Sequence, residues 1–336
     1  MHNIAILGCG AMGTAIGAYL AKSGLLVDMI DANRTHVDTL NQFGAEVIGR
    51  EAFITPVRAI LPEQMAPHYD LVFLMTKQTV NEAVLKNLLP HLGPESVVCT
   101  LQNGIPEPFV AKYVGIERTI GGTMHWGATL ERPGVTHVTS NLKHKHENDL
   151  TFFSIGEIDG KLTPRLNQIA DVLSRMGKTV ITSTLMTARW RKLTYNSCGS
   201  GMSAVCGCTY GNYLNNPKVM ECLSYIGYEI GLCAKAEGIY LDEHLEAALP
   251  QPERCQKLFY SVYSHAPDGK ASMLQDLEAG RKTEVDMING YICAIGDKHG
   301  IDTPYNDAVV QIIHKIETGE LPLSIENLQY FPDVKY

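Results

Sequence analysis

The first thirty-one residues constrain this chain more than any other stretch. Asn3–Leu7 (NIAIL) is a short apolar run suited to a buried parallel strand. Gly8-Cys9-Gly10-Ala11-Met12-Gly13 follows directly. Thr14–Lys22 (TAIGAYLAK) carries apolar residues at helical spacing, and Gly24 stands where a helix would stop. A second apolar run, Leu25–Ile30, ends at Asp31. G-x-G-x-x-G alone is weak evidence. Here strand, turn, helix, strand and acid stand in the order of a dinucleotide-binding unit. In that reading Gly8 permits the tight turn, Gly10 lets the backbone approach a pyrophosphate, and Gly13 lets helix and strand pack closely. The whole turn, from Gly8 through Cys9, Gly10, Ala11 and Met12 to Gly13, is expected to bind cofactor, with N–H groups and partial positive charge at the helix start. Asp31, 18 residues beyond Gly13, can accept from the ribose hydroxyls. The alternative is a glycine-rich turn that binds nothing.

The 336 residues allow two domains or one large one, and 45% hydrophobic residues suffice for a core without staples. A formal net charge of -8 argues against nucleic acid or an anionic membrane as partner. The basic run Lys143–His146 reads as a solvated loop. Nine cysteines without CxxC spacing suggest reduced thiols in a cytoplasmic protein and no zinc site. A strand-like run directly after Met1 leaves no room for a signal peptide, and no apolar run has membrane-spanning length.

Asp70–Met75 and Ser96–Leu101 are two further buried-strand candidates. They run into Thr76-Lys77-Gln78 and Gln102-Asn103-Gly104. Ligands of open α/β sheets lie beyond the carboxyl ends of strands, so Lys77 and Asn103 would be delivered to the cofactor edge. A solvated lysine at a helix start and an Asn-Gly turn fit the same residues equally well. Strand character recurs at Arg118–Thr123, Gly134–Val138, Leu150–Ile155 and Lys178–Thr182, with a turn at Gly156–Gly160 and a helix at Pro164–Met176. His125, beside Trp126, is either structural or close to substrate or cofactor.

After Ser183 the patterns turn helical: Thr187–Asn196, Lys218–Glu237, Asp242–Leu249, Gln251–Tyr263, Ser272–Leu277, Glu284–His299 and Thr303–Glu317. The expected architecture is a Rossmann-type domain, 1–184, followed by an all-helical substrate and dimerisation domain, 185–336, with the active site between them. Lys192 and Asn196 stand four apart and share a helix face. A lysine and an amide there can bind and protonate a carbonyl oxygen, although a surface lysine with a capping asparagine has the same spacing. Asp276, Glu278, Arg281 and Lys282 read as a solvated charged face between Ser272 and Glu284.

Taken in order, GCGAMG, Lys77, LQNG at Leu101–Gly104, WRKLTYN at Trp190–Asn196, SMLQDLEAGRKTEVDMING at Ser272–Gly290 and TPYN at Thr303–Asn306 resemble the ketopantoate reductase family over nearly the whole chain. The resemblance implies reduction of a 2-keto acid to the 2-hydroxy acid, often by a homodimer. It implies Lys192 as proton donor, with Asn103 and Glu284 as further catalytic residues. Asn196, Ser272, Lys77 and the Ser200 position would hold substrate. Lys77, Asn103, Glu284 and, by a weaker match, Gly127 would face the cofactor. Three departures stand out. Ser200 occupies a position where the family commonly has a second asparagine. Tyr210 replaces another asparagine. Asp31, with Arg34 three residues on, ends the second strand where NADP-preferring members tend to be basic. Asp31 favours NAD(H), whereas the resemblance allows NADP(H). The rival readings are a D-2-hydroxy acid dehydrogenase acting on another branched or bulky 2-keto acid, and a redox-sensing dinucleotide binder without catalysis.

Overall fold

Strand β1 (Ile4–Leu7) shows no polar alternation because both of its faces are covered: no residue in it is more than 5% exposed. It is central to an eight-stranded sheet in a computed structural model that describes residues 1–249, 251–264 and 267–333. The chain divides into two compact units, Met1–Ala188 and Arg189–Tyr336.

The strands of the first unit are β1, β2 (Val27–Ile30), β3 (Ala45–Gly49), β4 (Phe53–Thr55), β5 (Arg58–Ile60), β6 (Tyr69–Leu74), β7 (Leu92–Thr100), β8 (Thr119–Met124), β9 (Ala128–Arg132), β10 (Val135–Val138), β11 (Phe153–Glu157) and β12 (Thr179–Ile181). Its helices are α1 (Ala11–Lys22), α2 (Arg34–Phe43), α3 (Asn81–Leu88), α4 (Glu107–Val114), α5 (Leu142–Glu147) and α6 (Pro164–Leu173). The large sheet has the order β12-β11-β8-β7-β6-β1-β2-β5 and is parallel except between β8 and β11. Parallel pairing brings the carboxyl ends of β1, β2, β6 and β7 to one edge. This is the expected Rossmann-type architecture.

Of a second sheet, β4-β3-β10-β9, only β10 was legible in the sequence, as the strand character at Gly134–Val138. Thr136 of β10 donates its hydroxyl to Ala11 O (2.8 Å), and Gly134 N–H donates to His36 Nδ1 (3.0 Å). His36 Nε2 meets the Thr14 hydroxyl, which donates to Cys9 O (2.7 Å). The small sheet thus braces the glycine-rich turn. The basic run Lys143–His146 is not a loop but lies in helix α5, capped by the Asn141 side chain. Lys145 reaches Thr151 O (3.1 Å), which gives this cation an anchor.

The second unit is helical: α7 (Leu185–Tyr195, in which the division between the units falls), α8 (Gly201–Cys206), α9 (Tyr210–Leu214), α10 (Pro217–Ala236), α11 (Glu243–Ala248), α12 (Pro252–Tyr263), α13 (Ser272–Glu278), α14 (Val285–His299) and α15 (Pro304–Glu317). A π-turn, Asn196–Ser200, joins α7 to α8. Asp276 departs from the solvated face expected of it. It is 6% exposed and accepts from Arg281 Nε (3.0 Å), because α13 turns that carboxylate inward. All nine cysteines are free thiols, and seven of them are buried. No described helix is long and apolar enough to cross a membrane.

Candidate active site

In the first unit the glycine-rich turn has the geometry its sequence calls for. Gly8 has φ +102°, and a Cβ there would lie 2.5 Å from Thr76 N. A Cβ on Gly13 would lie 2.2 Å from Gly8 O, so only glycine allows α1 to sit this close. A Cβ on Gly10 would meet nothing within 4 Å, leaving the backbone open for the approach of a pyrophosphate. No side chain caps Gly10 at the start of α1, so the N–H groups of its first turn are available to an anion. Cys9 is fully buried, and burial, reinforced by Asp31, pushes its thiol well up, so it contributes packing and an N–H group.

Asp31 follows β2. Its carboxylate is clamped, accepting from Cys9 N–H (2.9 Å) and Asn33 N–H (2.8 Å). Arg34 is exposed and pairs with Glu63 at 3.5 Å. Lys77 and Asn103 follow β6 and β7 at the edge where β1 delivers the turn. A buried amide lattice sets both loops. Gln102 Nε2 donates to Thr76 O (2.6 Å) and Asn81 Oδ1 (2.6 Å), and Asn81 Nδ2 returns a bond to Gln102 Oε1 (3.2 Å). Gln78 Nε2 donates to Asn103 O (2.6 Å). Sequence reasoning missed Gln78, Asn81 and Gln102. Gly127 follows β8, its N–H donating to the Ser140 hydroxyl (2.9 Å). His125 is exposed, and its Nε2 meets the hydroxyls of Thr123 (3.2 Å) and Ser154 (3.0 Å).

In the second unit, Lys192 is half-buried on α7, with Asn196 one turn on at the head of the π-turn. Burial, reinforced by the charge of Arg189 and opposed by that of Glu284, pushes the Lys192 ammonium down to about 7. Arg189, three residues before Lys192, is only 1% exposed and was missed in the sequence. Arg191 instead points outward, to Asp242 at 2.9 Å. Glu284 is at the N-cap of α14. Its neighbour Thr283 is anchored through N–H and hydroxyl to Glu317 (2.7 and 2.8 Å). Ser272 opens α13, and the Ser200 hydroxyl accepts from the next N–H, that of Met273 (3.5 Å). Lys192, Asn196, Ser200, Ser272 and Glu284 thus belong to one helical unit, on α7, the π-turn and the starts of α13 and α14.

The π-turn breaks the regular helical ladder, and side chains bond two of its carbonyls and the one just before it. Tyr263 donates to Tyr195 O (3.1 Å), Asn289 Nδ2 to Ser197 O (3.3 Å) and Tyr213 to Gly199 O (3.5 Å). Asn289 also donates to Asn306 Oδ1 (3.0 Å), and Asn306 Nδ2 donates to the buried carboxylate of Glu229 (2.7 Å). The MING and TPYN segments therefore support the turn that carries Asn196 and Ser200.

Residues 4–147 match the family model for ketopantoate reductase PanE/ApbA, and residues 184–317 match the model for its C-terminal part. The chain belongs to the ketopantoate reductase family. It is an oxidoreductase of that type. It is 27% identical over 322 residues to a 2-dehydropantoate 2-reductase of Archaeoglobus fulgidus, covering 95% of this chain and 99% of that one. A 2-dehydropantoate 2-reductase of Streptococcus pyogenes is 25% identical over 315 residues, covering 93% and 97%. Among solved structures, a D-mandelate dehydrogenase with NADH and anilino(oxo)acetate superposes with a TM-score of 0.82 at 25% identity, covering 94% and 98%. A ketopantoate reductase of the same family from Ralstonia eutropha reaches 0.82 at 22%, covering 95% and 99%, a likeness of fold.

Proposed function

We propose that this family member reduces a 2-keto acid, 2-dehydropantoate or a similar compound, to the 2-hydroxy acid, with Lys192 as the proton donor and NADH as the preferred cofactor. The observation that carries the reading is the Lys192 ammonium, lowered to about 7 and sharing a helix face with Asn196. A lysine poised near neutrality gives up its proton readily as an alkoxide forms and stabilises the growing charge until it does. When bound, the nicotinamide supplies the hydride. The glycine-rich turn and Asp31 have the donors, the open backbone and the acceptor that a dinucleotide needs. Lys77, Asn103 and Gly127 are its further contacts in this reading. Asn196 and Ser272 would hold the substrate's oxygens, with Ser200 beside them, and Glu284 would tune the ammonium by its opposite charge. Lys192 ends each turnover as a neutral amine and regains its proton from water.

A second reading, a D-2-hydroxy acid dehydrogenase for a bulkier acid, is favoured by Ser200 and Tyr210 in place of two amides. It is also supported by the likeness to the D-mandelate dehydrogenase that holds NADH. The first unit is proposed as the dinucleotide domain, and the second as the substrate and homodimer domain. Nine free thiols agree with a reducing, cytoplasmic setting. The test is initial rates on a panel of 2-keto acids with NADH and NADPH, repeated with Lys192→Ala. Loss of a positioned acid should lower kcat by about 100-fold or more, with dinucleotide affinity unchanged. Tight dinucleotide binding without turnover on any 2-keto acid would replace this reading with that of a redox sensor.

A further inference from the structure

Tyr210 begins α9, and that end is tied to the segment leading into Ser272. Tyr210 N–H donates to Gly269 O (3.1 Å), and Gly211 N–H donates to Pro267 O (2.8 Å). The Tyr210 ring stacks on Tyr263, with centroids 4.3 Å apart and planes at 19°. Tyr263 in turn lies nearly parallel to Phe259, at 5.9 Å and 18°. Phe259 is fully buried, whereas Tyr263 and Tyr210 are half-buried, so the run of rings extends from the core to accessible surface. Its position is fixed against the π-turn. The Tyr263 hydroxyl donates to Tyr195 O, the residue before Asn196, and a Cβ on Gly199 would lie 2.3 Å from that hydroxyl oxygen. The glycine leaves the room that the tyrosine fills.

Given a 2-keto acid site in the helical unit, as proposed above, we infer that the stacked rings of Tyr210 and Tyr263 wall its side-chain subsite. The preferred substrate then carries a planar aromatic group beside its keto carbon. Three physical points lead there. The Tyr263 hydroxyl is bonded to the backbone just before Asn196, and the start of α9 is bonded to the backbone at Pro267 and Gly269, a few residues before Ser272, so the rings are tied to the segments that carry the groups assigned to the keto acid. Ser200, whose hydroxyl accepts from Met273 N–H, and Tyr210 offer no amide to pair with a substrate hydroxyl. A stacked tyrosine pair presents a flat, rigid π surface, on which a planar ring gains more than a branched aliphatic chain.

The test compares kcat/KM for phenylglyoxylate, 2-ketoisovalerate and 2-dehydropantoate in the wild type, Tyr210→Asn and Tyr210→Leu. The ratio between two substrates on one enzyme does not depend on the folded fraction, so a partly destabilised variant still reports. The wild type should prefer phenylglyoxylate by about tenfold, equivalent to about 1.4 kcal/mol. Tyr210→Leu, apolar but not planar, should lose that preference. Tyr210→Asn should lose it and gain on 2-dehydropantoate. Turnover of 2-keto acids without an aryl preference, or an unchanged ratio in both variants, would overturn the aromatic wall and leave the reductase reading standing. No turnover of any 2-keto acid would overturn both.

Discussion

In the proposed mechanism Lys192 concentrates the chemistry in one side chain, and its charge state would set the pH dependence. Reduction would use the ammonium form, and oxidation of the 2-hydroxy acid the neutral amine. Burial, reinforced by Arg189 and opposed by Glu284, lowers this lysine to about 7. In reduction, kcat/KM should therefore fall as pH rises through about 7, and in oxidation it should rise through the same range. Arg189→Met removes a positive charge and should move both limbs to higher pH. Glu284→Gln removes a negative one and should move them lower. Stopped-flow or initial-rate profiles across the neutral range test this, and a flat reduction profile there would remove Lys192 from the proton transfer. The pairing of Lys192 with Asn196 was readable from a four-residue spacing. Arg189 was not, because a helical wheel does not tell which of two neighbouring arginines turns inward.

Elements with one strong period were legible, and those shaped by long-range contacts were not. Buried runs such as IAIL and LVFL announce parallel strands by their lack of polar residues. Phe53–Thr55 and Arg58–Ile60 are three residues each, too short for any period to show. The π-turn is invisible for another reason. Its NSCGS composition is compatible with an ordinary helix, and the side chains that bond its carbonyls and that of Tyr195 come from later in the chain, at Tyr213, Asn289 and Tyr263. TPYN was read as a landmark of resemblance, and its physical role emerges only with Glu229. That carboxylate, fully buried, accepts from Tyr305 N–H (2.8 Å), Asn306 N–H (2.9 Å) and Asn306 Nδ2 (2.7 Å). It caps α15 and holds the amide that reaches the π-turn through Asn289. Glu229→Ala would leave three buried donors unpaired, at about 1–3 kcal/mol each. Urea unfolding should show a loss of at least about 3 kcal/mol. A loss below about 1 kcal/mol would mean that water or a rearranged helix start replaces the carboxylate.

For the whole molecule, cofactor choice can be read as stability, because a ligand that binds only the folded state shifts unfolding by its own affinity. The 2′ end of the proposed nucleotide site is acidic. Asp31 is clamped by two backbone N–H groups, and the one cation close in sequence, Arg34, is held by Glu63 at 3.5 Å. A 2′-phosphate would face the Asp31 carboxylate and would have to draw Arg34 from Glu63. That ion pair is mostly exposed, so breaking it costs at most about 1 kcal/mol. The fixed carboxylate is therefore the larger obstacle, although solvent and salt weaken its repulsion. NADH should bind about tenfold tighter than NADPH, a difference of about 1.4 kcal/mol. At equal saturating concentrations the melting temperature should rise about 3–5 °C more with NADH, at about 2–4 °C per kcal/mol for a unit of this size. Glu63→Gln frees Arg34 and should raise the NADPH shift while leaving the NADH shift in place. Asp31→Ala should reduce the NADH shift and narrow the gap from the other side. Scanning calorimetry of the three proteins with each dinucleotide separates these effects. An NADPH shift equal to or larger than that of NADH in the wild type would show that Arg34 leaves Glu63 for the phosphate and governs the pocket.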